Sequence, residues 1–260
     1  MSEIAVPPSY ALRDCLTMLR RQLRRMRRYP SMTLMLVGMP VIFLLLFVYV
    51  LGGTLGAGLG TPDRYADYVT PGILLMTVAS AVNGTAVSIA MDMTEGIVAR
   101  FRTMAIFRPS VLTGHVLGSM IQTLLGVAVV VGVALLVGFR PVAGVGGWLG
   151  ALAVIAMFAF ALIWLAVALG MSTRSVETAS NLPMPLALLP FLGSGFVPTD
   201  SMPTALRWFA EYQPFTPVIE TVRGLLMGTP VGGHLLAAVA WSVVIAVASY
   251  LWAIRLYNRT

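Results

Sequence analysis

Six windows of this chain are apolar for long enough to cross a bilayer as helices, and no other feature restricts its fold as strongly. A helix rises about 1.5 Å per residue and the hydrocarbon core is about 30 Å thick, so roughly 20 apolar residues make one crossing. The windows run approximately from Thr33 to Leu51, Tyr68 to Ala90, Leu112 to Gly138, Trp148 to Gly170, Ala179 to Phe196 and Leu235 to Ile254. Asp, Glu and Arg stay at or beyond their edges, and only His115 enters one, near its start. Lipid offers the backbone no hydrogen bonds, and a helix satisfies its own within one segment. The expected fold is therefore an all-α membrane protein with six transmembrane helices. Pro183, Pro185 and Pro190 interrupt the fifth window, which is expected to form a kinked helix.

Composition supports a membrane class. The 260 residues are 58% hydrophobic and 10% charged, whereas soluble domains run near 45–50% apolar and about 25% charged. No linker or low-complexity tract divides the chain, so residues 1–260 are read as one transmembrane domain. All 17 basic residues are arginine. Without lysine there is no P-loop lysine for ATP phosphates, no kinase lysine and no Schiff base. Cys15 stands alone, which excludes an internal disulfide and a cysteine-rich metal site. His115 and His234 fall at opposite ends of different helices, with no Cys or carboxylate at ligand spacing, so no metal site is expected.

Orientation follows from the arginines. With the N-terminus inside, the inner segments hold 13 arginines and the outer ones 4, namely Arg64, Arg140, Arg207 and Arg223. The acidic residues split evenly between the two sides, and an even number of spans returns the C-terminus to the cytoplasm.

Three segments outside the windows carry pattern. In residues 11–29, Leu12, Leu16, Leu19, Leu23 and Met26 recur at spacings of 4, 3, 4 and 3, with Arg20, Arg21, Arg24 and Arg25 around the other faces. This is an amphipathic interfacial helix, broken by Pro30, whose arginines suit anionic lipid headgroups. A topology anchor and a contact for a cytoplasmic partner both fit it; nucleic acid does not, because the adjoining span already supplies a lipid explanation. In the loop of residues 92–106, Thr94 is placed to cap a short helix. Its apolar strip is Ile97, Val98, Phe101 and Met104, beside Glu95, Arg100 and Arg102. It reads either as an ordinary basic loop or as a knob that docks into another protein. Residues 197–233 hold two helix starts, at Asp200–Pro203 and at Thr216–Pro217, the second helix ending at Gly228. Trp208, Phe209, Tyr212 and Phe215 lie between and suit the headgroup level. Glu211 and Glu220 are expected to face water or to pair with Arg207 and Arg223.

In this order around six spans, these segments resemble the type-2 permeases of ATP-binding-cassette exporters, most closely the daunorubicin-resistance-like branch of bacteria. The residues that carry the resemblance are EGIVARFRTMAI, Glu95 to Ile106, and FVPTDSMPTALRWFAEYQPFTPVIETVRGLLMG, Phe196 to Gly228. The first departs from the pattern at Ala105, where a proline often follows the methionine. The resemblance implies that Glu95–Met104 is a coupling helix inserted into a separate ATPase subunit, with the arginine-rich helix beside that contact. It implies that the short outer helices, with Trp208, Phe209, Tyr212, Phe215 and Glu220, close the exit. It also implies two permease units, identical or homologous, and two ATPase copies that bind ATP and Mg, with no cofactor in this chain. The location implied is the bacterial cytoplasmic (inner) membrane.

The expected function is thus the membrane subunit of an ATP-driven exporter for a lipophilic compound, a drug-like molecule or a lipid. An ion-coupled secondary transporter is the alternative, but no window has a carboxylate near its middle to carry a proton. An intramembrane enzyme would need a convergent catalytic set that the sequence does not offer. Asn83, Gln122 and Asn181 are the polar side chains within spans; Asn83 and Asn181 are the candidates for a substrate path, although interhelical hydrogen bonds are the usual work of such residues.

Overall fold

The computed structural model describes residues 17, 20, 24, 30–58, 64–95, 109–173 and 175–259. Among them the secondary structure is all helical, with no strand. Helix α1, Pro30–Leu45, passes into a π-helical turn, Leu46–Val50, and α2, Gly52–Gly58, follows at an angle of 69°. Four long helices come next in two groups: α3 Tyr65–Thr94, α4 Pro109–Val137 and α5 Val145–Ser172, then α10 His234–Arg259 at the C-terminal end. These four are long and apolar enough to cross a membrane, and α1 with α2 makes a fifth if the bent pair counts as one span.

Helices α3 and α5 form the centre. In their most apolar stretches 78% and 61% of residues are buried, against 28% and 17% for α4 and α10, which leave apolar faces outward. The main core joins Ile73 and Val82 of α3 to Phe158 and Leu162 of α5. A second cluster, with Ile89, Leu112, Val167 and Tyr257, closes the end of the bundle where α3 finishes and α4 begins.

The fifth window is not one kinked helix. It forms α6, Val176–Asn181, then α7, Met184–Leu188, and then a run of turns through Phe196. Pro183, Pro185 and Pro190 each lack the N–H that a continuous helix would use, and three within eight residues leave too few bonds to hold one axis. The segment lies along α3, antiparallel to it. Asn83 Nδ2 donates to the Ser180 carbonyl at 3.1 Å, and the Tyr65 hydroxyl donates to the Phe196 carbonyl at 2.9 Å.

A 3₁₀ turn, Thr199–Ser201, leads to α8, Thr204–Tyr212, and α9, Phe215–Met227. Gly228 ends α9 in the left-handed region at φ 69°, its N–H returning to the Gly224 carbonyl. The two short helices differ in setting. Only Ala210 of α8 is buried, whereas α9 buries Phe215, Val218, Ile219, Val222 and Leu226 in the main core. At about 20 Å, α9 is too short to cross a bilayer.

Candidate functional site

The proline-broken segment exposes backbone carbonyls that a regular helix would have bonded internally, and within an apolar bundle each must find a donor. Side chains from α3, α9 and the α8–α9 corner supply them. The Ser194 carbonyl accepts from the Tyr68 hydroxyl at 3.0 Å and from Arg223 Nη2 at 2.7 Å. Gln213 Nε2, from the α8–α9 corner, donates to the Leu189 carbonyl at 2.9 Å. With the Tyr65–Phe196 bond, the whole turn run is fastened to α3 and α9.

Arg223 is the hub. Its guanidinium also donates to the Tyr68 carbonyl, Nη2 at 3.2 Å, pairs with Glu220 Oε1 at 2.5 Å, and lies 3.9 Å above the Tyr68 ring centre. Its side chain is only 12% exposed. Five rigidly arranged N–H donors suit this task, because they serve two carbonyls and a carboxylate without bending. Beside it α3 and the turn run touch backbone to backbone: a Cβ added at Gly72 would stand 2.5 Å from the Gly195 carbonyl oxygen. Aromatic rings seal the junction, Phe191 stacked on Phe196 with centroids 4.6 Å apart and Phe47 on Phe196 at 4.5 Å.

The residues expected to act together as a gate divide between two settings. Trp208 and Tyr212 are exposed on α8 with ring centroids 5.4 Å apart, and Phe209 is exposed beside them. Phe215 is fully buried, edge-on to Phe158 at 5.0 Å, and Glu220 is part-buried under Arg223. On the surface, Arg207 bridges Asp200 at 2.6 Å and Glu211 at 2.7 Å. Those carboxylates, Glu211 foremost through its hydrogen bond, raise the guanidinium's pKa further.

At the opposite end, α3 continues through Thr94, whose hydroxyl donates to the Met91 carbonyl at 3.0 Å; the short helix that Thr94 is expected to cap lies outside the described residues. Glu95 is the exposed residue that closes α3. Ile97, Arg100, Phe101, Arg102 and Met104 lie outside the described residues, as do Arg21 and Arg25; Arg20 and Arg24 are helical and exposed. Because α3 runs on, Asp92 falls inside the bundle. His115 Nε2 lies 3.0 Å from its Oδ2, with the two residues 6% and 2% exposed. No carboxylate lies at ligand spacing from His115 in the sequence; the fold brings Asp92 to it across 23 residues, a separation that no spacing rule detects.

Asn83 is taken up by the Ser180 carbonyl and Asn181 is exposed at the end of α6, so the two neighbour each other across α3 and α6. Sequence reasoning missed Tyr65, Tyr68, Gln213 and Arg223 as a set. The available signal was indirect: three prolines announce orphan carbonyls, and a tyrosine pair at i, i+3 heads the neighbouring span.

Several long apolar helices bundled around a short inserted one, with the broken backbone satisfied by protein side chains, define a multi-pass membrane protein. The chain belongs to the ABC-2 type transporter family, whose match covers residues 13–227. It is similar to the daunorubicin resistance ABC transporter permease protein DrrB1 of Streptomyces coeruleorubidus, 30% identical over 84% of this chain and 77% of that one. It is also similar to the probable doxorubicin resistance ABC transporter permease protein DrrC of Mycobacterium tuberculosis, 25% identical over 80% of this chain and 75% of that one. The chain is accordingly a transport subunit and not an enzyme.

Proposed function

We propose that this chain is the membrane half of an ATP-driven exporter that moves a lipophilic, drug-like compound or a lipid outward across the bacterial cytoplasmic membrane. Family membership over residues 13–227 carries the reading, and the absence of lysine adds to it, because such a chain needs a partner to bind ATP and Mg. That partner is an ABC ATPase in two copies, engaged by the loop after Glu95 with the arginine-rich N-terminal helix beside it. A second permease, identical or homologous, completes the pathway. The drug class is suggested by the names of the two relatives, and the apolar, methionine-rich helices suit it.

Six crossings, with both ends in the cytoplasm, take residues 176–196 as the fifth. Its contacts with Asn83 and Tyr65 are eighteen α3 residues apart, or about 27 Å along that helix, close to the bilayer core. The α8–α9 corner then lies at the outer face, with Trp208 and Tyr212 at headgroup level and α9 entering the membrane without crossing it. Arg223 would hold this outer closure.

The test is ATP-dependent doxorubicin uptake into inverted membrane vesicles containing the permease and a candidate Walker-motif ABC ATPase. Uptake that requires ATP and is lost in Phe101→Ala, together with ATPase co-purification, is the expected result. An ion-coupled transporter is the competing reading, and the buried Asp92 is the observation in its favour. Asp92 sits in the last turn of α3 rather than mid-span. Uptake without ATP that an ionophore abolishes would establish that alternative.

A further inference from the structure

We propose that Asp92 and His115 form a clasp that fixes the two stems of the loop 96–108 to each other, so that a push on the loop moves α3 and α4 as one body. The inference rests on the reading of that loop as the ATPase contact. Asp92 lies three residues before Glu95 in the last turn of α3, and His115 lies in the second turn of α4. Their 3.0 Å contact therefore bridges the base of the loop on both sides. Around it stand Ile89, Leu112, Val116, Val167 and Tyr257, which bring in α5 and α10 and keep water away. Little water competes for the hydrogen bond in such a setting, so the pair holds its geometry under load.

Local helix stability does not account for a carboxylate at this position. The C-terminal turn of a helix carries partial negative charge, which disfavours an anion. A buried hydrogen-bonded pair adds little net stability, whereas removing one partner leaves the other unsatisfied at a larger cost. Another polar contact crosses the same seam deeper in the bundle, where the Thr85 and Ser119 hydroxyls lie 2.9 Å apart. It is neutral and lies farther from the loop than Asp92 and His115 do. The clasp makes these two positioning residues, which act through the loop and need not touch substrate or nucleotide.

The experiment uses the permease–ATPase complex in proteoliposomes, with ATP hydrolysis and doxorubicin transport measured on the same sample. Asp92→Asn and His115→Gln should each keep the ATPase bound yet lower the doxorubicin moved per ATP about three- to tenfold, the range of energetic coupling through such networks. A change in stability alone would not alter that ratio. In a Cys15→Ser background, the Asp92→Cys, His115→Cys double variant should be uncoupled until a short bifunctional thiol reagent joins the stems, and then recover. This arm also serves if a single variant folds poorly. An unchanged ratio in both single variants, or no recovery on cross-linking, overturns the clasp. If Phe101→Ala leaves hydrolysis, transport and ATPase binding all unaltered, the loop is not the ATPase contact, and it is that underlying reading that falls.

Discussion

Arg223 of α9 donates a 2.7 Å hydrogen bond to the Ser194 carbonyl, so an inserted helix too short to span a membrane and a segment too broken to be one helix hold each other in place. Arg223→Ala removes donors from the Ser194 and Tyr68 carbonyls and strands Glu220. The expected loss is about 3 kcal/mol, the sum of one or two poorly satisfied buried groups. Thermal aggregation of the detergent-solubilised protein should report it. Arg223→Lys should fall between, because an ammonium keeps the charge for Glu220 but cannot serve both carbonyls in the same plane.

The two tyrosines predict an order rather than a size. The Ser194 carbonyl keeps Arg223 when Tyr68 loses its hydroxyl, whereas the bond to the Phe196 carbonyl comes from Tyr65. Tyr65→Phe should therefore lower the aggregation temperature more than Tyr68→Phe. The opposite order would show that the Tyr65–Phe196 bond contributes little.

What could be read without the structure divides along a physical line. Windows one to four and six are helices because an apolar run in lipid has one local solution, and their ends differ from the expected ones by a few residues. The Arg207–Glu211 and Glu220–Arg223 pairs were legible because four or three residues make one helical turn. The fifth window was not, because its path depends on donors that arrive from Tyr65, Tyr68 and Arg223, far away in the chain. Asp92–His115 escaped for a related reason. Met91–Thr94 look like a loop from composition, and only the continuation of α3 turns Asp92 into the bundle.

Glycines give a prediction with opposite signs. A Cβ at Gly72 would lie 2.5 Å from the Gly195 carbonyl oxygen, backbone that cannot step aside cheaply. Gly72→Ala should cost about 1–3 kcal/mol through overpacking and pry the turn run away from α3. At Gly84, in the same helix, nothing lies within 4 Å. Gly84→Ala should be neutral or stabilising by up to about 1 kcal/mol, the helix propensity difference. Paired melts of the two variants separate the junction from any general intolerance of α3 to substitution.

Arg207 and Arg223 test whether counting ion pairs predicts anything here. Arg207 has two carboxylate partners, Asp200 and Glu211, and Arg223 has one, Glu220. A count would rank Arg207 as the more important. Its side chain is 45% exposed and Asp200 is 78% exposed, so water and salt replace what the partners supply. Arg223 is shielded and donates to two carbonyls, those of Ser194 and Tyr68, in a setting that water and salt reach poorly. Arg207→Gln should leave the aggregation temperature unchanged at moderate salt, with any effect at low salt fading as salt is added. The effect of Arg223→Ala should persist across the same salt series. If both variants respond alike to salt, the Tyr65 end of the bundle is wetter than its packing implies.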